Sequence, residues 1–358
     1  MMTAPRLEVD LQKIEQNART LVKLLAPRGI SVTGITKATL GSAEIARALL
    51  SAGVCALGDS RIENIAAMRQ SGIRTPLVLI RSPMLSQAQL VVTHADISLN
   101  SELEVMSRLS SAAQEAGVTH GVVVMIELGD LREGIMPADL DSTVRQILRL
   151  PNIRLKGIGT NLACRSGVSP DTAKMSELSS LATLTEATFG LSLDTISGGN
   201  SANIGWALSG AETGRVNDLR LGEAILLGRE TLHRQPIEGL HLDAITLVAE
   251  VIESKVKPSL PWGAIAQTAF GEKPKPTNRG DIFQAILAIG EQDTDPSGLS
   301  APPGIEILGS SSDHLVVSGP NLVAVGSKLR FQLNYSALLR AMTSPYVART
   351  FSPSYQTA

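Results

Sequence analysis

Lys37 closes the run Ser31-Val32-Thr33-Gly34-Ile35-Thr36-Lys37, whose interior is apolar. An amine at the end of such a run loses part of its hydration. That lowers its pKa and suits it to Schiff-base chemistry. A solvent-facing lysine at a strand end is the plain alternative. A second signal is Ser197-Gly198-Gly199-Asn200-Ser201. Glycines there let backbone N–H groups approach a phosphate closely, and Ser201 adds a hydroxyl donor. Arg220 with Gly222, Arg132, Asn161, Asn100, Arg81 and Asp59 complete a polar, cationic set. The five histidines, His94, His120, His233, His241 and His314, are scattered and show no zinc-ligand spacing, so no metal is expected. Neither a Gly-x-Gly-x-x-Gly nor a Walker A sequence is present.

Such groups need elements to hold them. Eight short apolar runs recur near Val32–Lys37, Val54–Asp59, Leu77–Arg81, Asp96–Asn100, Val122–Leu128, Leu155–Asn161, Asp194–Gly198 and Leu219–Gly222. The stretches between them are long enough for a crossover helix. Ile14, Ala18, Leu21 and Leu25 share one helical face, as do Met175, Leu178, Leu181 and Leu184. Ser60–Glu63 and Ser101–Glu104 have the capping-box pattern. Gly53, Gly72 and Gly117 stand where helices end in a left-handed residue. The alternation predicts an α/β fold with a parallel sheet, read as a (β/α)8 barrel over 11–235. A doubly wound open sheet fits the same alternation. The polar residues above then fall at the C-terminal ends of the strands, where barrel active sites lie.

Near residue 235 the pattern changes. Pro258, Pro261, Pro274, Pro276, Pro296, Pro302 and Pro303 punctuate short apolar runs at Ala244–Ile252, Ala285–Ile289, Gly304–Leu308, His314–Val317 and Lys328–Leu333. A mainly β domain over 236–358, joined by residues 1–10, is predicted, without long helices. The Lys- and Pro-rich stretch Gly271–Gly280 reads as an exposed loop.

The chain has 358 residues, of which 43% are hydrophobic and 18% charged, so it can build a large core. A net charge of −2 and an aromatic content of 3% argue against a nucleic-acid or anionic-membrane partner. Two cysteines make no disulfide framework. With no signal-peptide pattern and no long apolar run, a cytoplasmic location is expected.

Several segments follow one another in a familiar order. They are Leu7-Glu8-Val9-Asp10-Leu11 with Asn17, Thr36-Lys37-Ala38, Glu127–Gly134 with its Gly-x-x-Arg-x-Gly spacing, Gly157–Ala163, Asn200-Ser201-Ala202, Arg220–Ala224 and Gly309–His314. In these the chain resembles the alanine racemases, fold-type III enzymes dependent on pyridoxal phosphate, over essentially its whole length. Segments Gly129–Gly134, Ile196–Ser201, Leu227–Thr231, Ser311–His314 and Met342–Val347 are most similar to the ornithine/alanine racemase branch.

The resemblance implies a pyridoxal phosphate enzyme that interconverts L and D amino acids, with ornithine or another basic amino acid as substrate. An alanine or broad-specificity racemase is the alternative, and a D-threonine aldolase-like lyase or a decarboxylase is the rival on the same fold. A non-catalytic cofactor carrier would be a barrel alone. Lys37 is implied to hold the cofactor and to act as a base at Cα. Asn200, Ser201, the backbone around Gly222 and Tyr346 are implied to take the phosphate. Arg220 is implied to face the ring nitrogen. Arg132 holds the substrate carboxylate or the cofactor's phenolic oxygen, unless it pairs with neighbouring Asp130 or Glu133. Asn161 replaces a family histidine and orients Arg132. The family's catalytic tyrosine has no counterpart in Ile289–Asp293, so the second base is open among the Asp313–His314 pair, Cys164 and Glu291. Asp313 and Asp293 are candidates for a substrate ammonium group. A head-to-tail homodimer is implied, in which Ser312–His314 enters the other subunit's site.

Overall fold

The structure is a computed structural model that describes residues 4–271 and 277–353. Part of the loop expected at Gly271–Gly280 lies outside the described residues. The chain forms two compact units, one of Leu11–His241 and one of Met1–Asp10 with Leu242–Ala358.

The second unit begins with strand β1 (Arg6–Asp10). The first unit opens on helix α1 (Leu11–Leu25), where Ile14, Ala18, Leu21 and Leu25 are all buried, as their spacing predicts. Pro27, in the following 3-10 turn, and left-handed Gly29 stop the helix. Strand and helix then alternate: β2 (Ser31–Ile35), α2 (Ala43–Ser51), β3 (Ala56–Asp59), α3 (Ile62–Gln70), β4 (Leu77–Leu79), α4 (Ala88–His94), β5 (Ile97–Asn100), α5 (Leu103–Ala116), β6 (His120–Met125), α6 (Leu140–Ile147), β7 (Ile153–Gly159), α7 (Thr172–Phe189), β8 (Thr195–Gly199), α8 (Ile204–Leu208), β9 (Asp218–Leu221) and α9 (Glu223–Leu227). Strands β2 to β9 close in sequence order into an all-parallel eight-stranded barrel. Closure excludes the open sheet. Ala56, Val78, Leu99, Val123 and Met125 form one buried cluster of the unit, with Ile80 and Ile97 packed against it.

Two register shifts interrupt the ladders. Between β6 and β7, Val122 faces Leu155 while Val123 faces Gly157, so Lys156 is an extra residue. Between β8 and β9, Ser197 faces Asp218 while Gly199 faces Leu219, which leaves Gly198 extra. The glycines are required. A Cβ on Gly157 would stand 1.8 Å from the Thr195 carbonyl oxygen, and one on Gly199 would stand 2.2 Å from Asn203 Oδ1.

Local signals met mixed outcomes. Gly117 ends α5 in the left-handed region. Gly53 and Gly72, just past α2 and α3, also have positive φ. The two capping boxes do not form. The N-caps of α3 and α5 are Arg61 and Glu102, and neither side chain caps. In α7 the stripe is rotated: Met175, Leu178, Ala182 and Thr185 are buried, whereas Leu184 is 64% exposed.

Two polar side chains deep in the barrel unit carry testable weight. Asn17 ties α1 to the end of the unit, donating to the carbonyls of Ile225 and His241 (both 2.9 Å) and accepting from the His241 N–H. His120, fully buried at the start of β6, lies 2.8 Å from Ser98 Oγ. Burial pushes its imidazole down to about 4 from 6.5. Between those values the unfolded chain binds a proton that the folded one rejects. The stabilisation is therefore complete above pH 6.5 and lost as pH falls toward 4. By pH 4.5 the loss from this one group should be on the order of 2–3 kcal/mol. Urea unfolding at pH 7 and pH 4.5 should show a smaller drop for His120→Gln than for the native chain. Equal drops would refute the assignment.

In the second unit, β10 (Ile245–Pro258), β11 (Asp281–Leu287), β12 (Leu299–Ser300), β13 (Glu306–Ser310), β14 (Leu315–Gly319), β15 (Lys328–Leu333) and β16 (Ala348–Ser352) form a sheet ordered β12-β15-β10-β11-β14-β13. Strand β1 joins it, antiparallel to β10 and parallel to β16. Phe331, Leu247, Leu287 and Val317 are among its buried residues. The mainly β unit also holds one nine-residue helix that the sequence did not mark, α10 (Tyr335–Thr343), started by Asn334, whose side chain accepts from the Ala337 N–H.

Candidate active site

The barrel unit gathers its chemistry at the C-terminal ends of the strands. Lys37 does not end β2 as the sequence suggested. The strand stops at Ile35, and Lys37 opens a 3-10 turn through Thr39. The turn is fastened from beneath. Thr36 Oγ1 donates to Asp59 Oδ2 (2.8 Å), and Asp59 Oδ1 accepts from the Arg61 N–H and from Asn64 Nδ2 (3.0 Å each). Asp59 is fully buried; burial pushes its carboxyl up, against these hydrogen bonds. Lys37 is half-buried, and its amine donates to no described residue. Its charge is felt by Glu223, whose carboxyl is pushed up by burial and drawn down by Arg234 and Lys37.

Arg220 is only 6% exposed. It donates to Ser197 Oγ, to the Thr160 carbonyl (2.8 Å) and to Asn161 Oδ1 (3.3 Å). Ser197 Oγ in turn donates to Asp218 Oδ2, and Asp218 Oδ1 accepts from Thr33 Oγ1 (2.7 Å). Burial lowers the guanidinium's pKa and Asp218 opposes it. A guanidinium so held is a fixed donor.

The glycine-rich segment lies beside it. Asn200 Nδ2 donates to Asn161 Oδ1 (3.1 Å), to the Leu162 carbonyl (2.8 Å) and to Cys164 Sγ (3.4 Å). Asn200 Oδ1 caps the 3-10 turn Ser201–Asn203. Ser201 Oγ accepts from the Ala224 N–H (3.3 Å), which binds this turn to the start of α9. A Cβ at Gly222 would lie 3.1 Å from Ile35 Cβ, so the ends of β9 and β2 meet closely here. Asn161 Nδ2 is buried and has no partner. Asn161, Cys164, Asn200, Ser201, Arg220 and Gly222 thus form one cluster.

Arg132 sits on the loop after β6. Its Nε and Nη2 both donate to Glu133, so of the two sequence neighbours Glu133 is the partner. Asp130 is engaged elsewhere. Its carboxylate accepts the N–H groups of Cys164, Arg165, Ser166 and Val168, which hold it below the usual carboxylate range against the cost of burial. Glu127 accepts from the N–H groups of Gly129 and Arg132. The sequence reading missed these roles for Glu127 and Asp130. For Asp130, an acidic residue next to Gly129 in a loop that must turn sharply was the available signal.

Asp313, His314 and Tyr346 belong to the β unit. His314 Nδ1 and Asp313 Oδ1 are 2.8 Å apart, and that bond lowers the Asp313 carboxyl pKa. Both side chains are exposed. The Glu291 and Gln292 N–H groups donate to the Ser311 and Ser312 carbonyls, so the two segments expected near the mouth form one loop pair. Glu291 accepts from Ser310 Oγ (2.8 Å) and pairs with Arg340 (3.3 Å). Asp293 is no exposed carboxylate: it is buried and accepts from Ser344 Oγ (2.7 Å). Tyr346 is 73% exposed. Among the described residues no group of three His, Cys, Asp or Glu side chains could hold a metal ion, and no helix is long and apolar enough to cross a membrane.

A closed parallel barrel carrying a lysine, a buried arginine and a serine-bearing glycine loop at its strand ends defines a class, to which comparison gives a family. The family model "Alanine racemase, N-terminal domain" matches residues 9–230. The chain is 38% identical to the lysine racemase of Thermotoga maritima, over 99% of this chain and all of that protein. It is 39% identical to the ornithine racemase of Acetoanaerobium sticklandii, over 96% of this chain and 99% of that one. Among solved structures, the alanine racemase of Streptomyces coelicolor A3(2) superimposes with a TM-score of 0.79 at 19% identity, covering 98% of each chain. The chain belongs to the alanine racemase family.

Proposed function

We propose that this protein is a pyridoxal phosphate-dependent racemase of a basic amino acid, ornithine or lysine. The observation that carries the reading is end-to-end similarity at 38–39% to a lysine racemase and an ornithine racemase. The barrel mouth fits the cofactor. Lys37 offers an amine without a described partner, Ser201 a hydroxyl beside the tight Gly222 approach, and Asn161 Nδ2 a buried donor lacking an acceptor.

Pyridoxal phosphate, when bound, supplies an aldehyde for the substrate amine and a ring that draws electrons from Cα. The residues do the rest. Lys37 holds the cofactor and moves the proton on one face of Cα. Asn200 and Ser201, with the backbone at Gly222 and with Tyr346, hold the phosphate. Arg220 keeps its proton, so it would disfavour protonation of a cofactor ring nitrogen held against it and would favour simple proton return to Cα. Asn161 Nδ2 would be a buried donor available to the cofactor, and Arg132 would receive the substrate carboxylate or the cofactor's phenolic oxygen. The Asp313–His314 pair, with a carboxylate fixing an imidazole, serves the opposite face. It acts in a homodimer whose β units complete the partner's barrel mouth. Cys164, exposed beside Asn200, is the other candidate for that face. Glu291, tied to Arg340, is less available.

Purified protein loaded with pyridoxal phosphate should convert each enantiomer of ornithine or lysine into its mirror image, read by chiral chromatography. Alanine should be turned over with at least about a tenfold lower kcat/KM, the scale of one side-chain contact. Finding no mirror-image product, or alanine as the best substrate, would overturn the reading.

A further inference from the structure

Arg132 is held at both ends. Its own N–H donates to Glu127 Oε2 (3.2 Å), and Glu127 Oε1 fixes Gly129. Gly134, at φ +147°, leaves no room for a side chain against the Glu127 backbone (2.5 Å). The Ile135 N–H returns to the Met125 carbonyl (2.9 Å) and the Glu127 N–H to the Ile135 carbonyl (2.9 Å), closing the loop. The backbone beneath Arg132 is therefore set.

At the other end, Glu133 takes the Nε–Nη2 edge of the guanidinium with both oxygens. A carboxylate matched to that fork gives direction as well as attraction. A guanidinium has a second forked edge, Nη1–Nη2, and here Nη1 donates to no described residue. The arginine side chain is 39% exposed, so the group is not sealed off from solvent. Glu133 also acts electrostatically on Arg220, which places the pair within reach of the cluster described above.

We propose that Glu133 is a positioning residue: it clamps one edge of Arg132 so that the other edge is the carboxylate-receiving edge of the barrel mouth. That the carboxylate is an amino acid's rests on the racemase reading; the clamp itself does not. Freed of Glu133, the guanidinium would keep its charge but lose its direction. It would still attract a carboxylate, so KM would hold or fall, while turnover would suffer from misplacement.

Two measurements on the pyridoxal phosphate-loaded protein test this. In the first, phenylglyoxal modification of Arg132 is followed by peptide mass spectrometry. Arg132 should react about fivefold faster in Glu133→Ala than in the native chain, the scale of a partly exposed ion pair. Glu133→Gln, which keeps one acceptor, should fall between. In the second, steady-state kinetics with ornithine or lysine, Glu133→Ala should lower kcat about tenfold or more with KM unchanged or lower, and Glu133→Gln should recover part of kcat. A purely structural role would lower the amount of folded enzyme without producing this split. Equal modification rates in the three proteins overturn the clamp. Faster modification with an unchanged kcat overturns the positioning role. If the native protein racemises nothing, the racemase reading fails by itself, and the modification rates alone decide whether Glu133 orients Arg132.

Discussion

Replacing Lys37 by alanine should lower racemisation about a thousandfold or more, because it removes both the covalent anchor for the cofactor and a proton-transfer group. The fold should survive. The Lys37 amine donates to no described residue, and the turn that carries it is held by Thr36 and Asp59. Unfolding free energy should therefore stay within about 0.5 kcal/mol of the native value. Lys37→Arg should be just as inactive, since a guanidinium keeps the charge without a nucleophilic amine. Borohydride reduction of the native protein should fix the cofactor on the peptide that contains Lys37. A label on any other lysine would refute the assignment, and so would visible absorbance retained in Lys37→Ala at native intensity.

The second large effect is on stability. Gly157→Ala places a methyl group 1.8 Å from the Thr195 carbonyl oxygen. The obstacle is backbone in the adjacent strand, so no rotamer relieves it. Strands β7 and β8 would have to separate, at a cost of about 3 kcal/mol or more. Asn161 follows β7, and Arg220 bonds to Thr160 and Ser197 at the ends of β7 and β8, so the cluster at the mouth should be lost with the junction. Gly205→Ala is the control. It lies exposed in α8 with nothing within 4 Å of the added carbon, and should be neutral or stabilising by up to about 1 kcal/mol. Thermal or urea unfolding of the two variants compares them directly. Equal stability would mean that β7 and β8 tolerate a spacing that this register forbids.

Much of the barrel could be read before any coordinates, because burial on both faces makes each parallel strand a compact apolar run bounded by helices of regular length. All eight expected runs overlap observed strands, and the strand-end residues Lys37, Asn161, Asn200, Ser201, Arg220 and Gly222 do occupy that end of the barrel. The errors have common physical origins. Ser60 and Ser101 matched a capping pattern, yet the helices start one residue later, with N-caps Arg61 and Glu102 whose side chains do not cap. Helix α10 was overlooked although neither proline nor glycine interrupts Tyr335–Thr343. Asn334 before Leu338, Ala341 and Met342 was its signal. The pairing of Arg132 was open in sequence because Asp130 and Glu133 both lie within two residues of it along the chain. Only the turn geometry decides which carboxylate faces the side chain and which faces backbone. The extra residues at Lys156 and Gly198 could not be inferred, since register is a property of two strands together.

Asp130 collects four backbone N–H groups from the segment after β7, and its own carbonyl accepts from Ser166 Oγ. One residue thus rivets the loop after β6 to the loop after β7. For anyone reshaping this enzyme's selectivity, that rivet separates what can be varied from what cannot. Lengthening either loop would strand a carboxylate or several N–H groups at once, whereas exchanging side chains at Leu131 or Ala163 leaves the rivet whole. Libraries aimed at this edge of the barrel should randomise side chains and keep loop length and Asp130 constant.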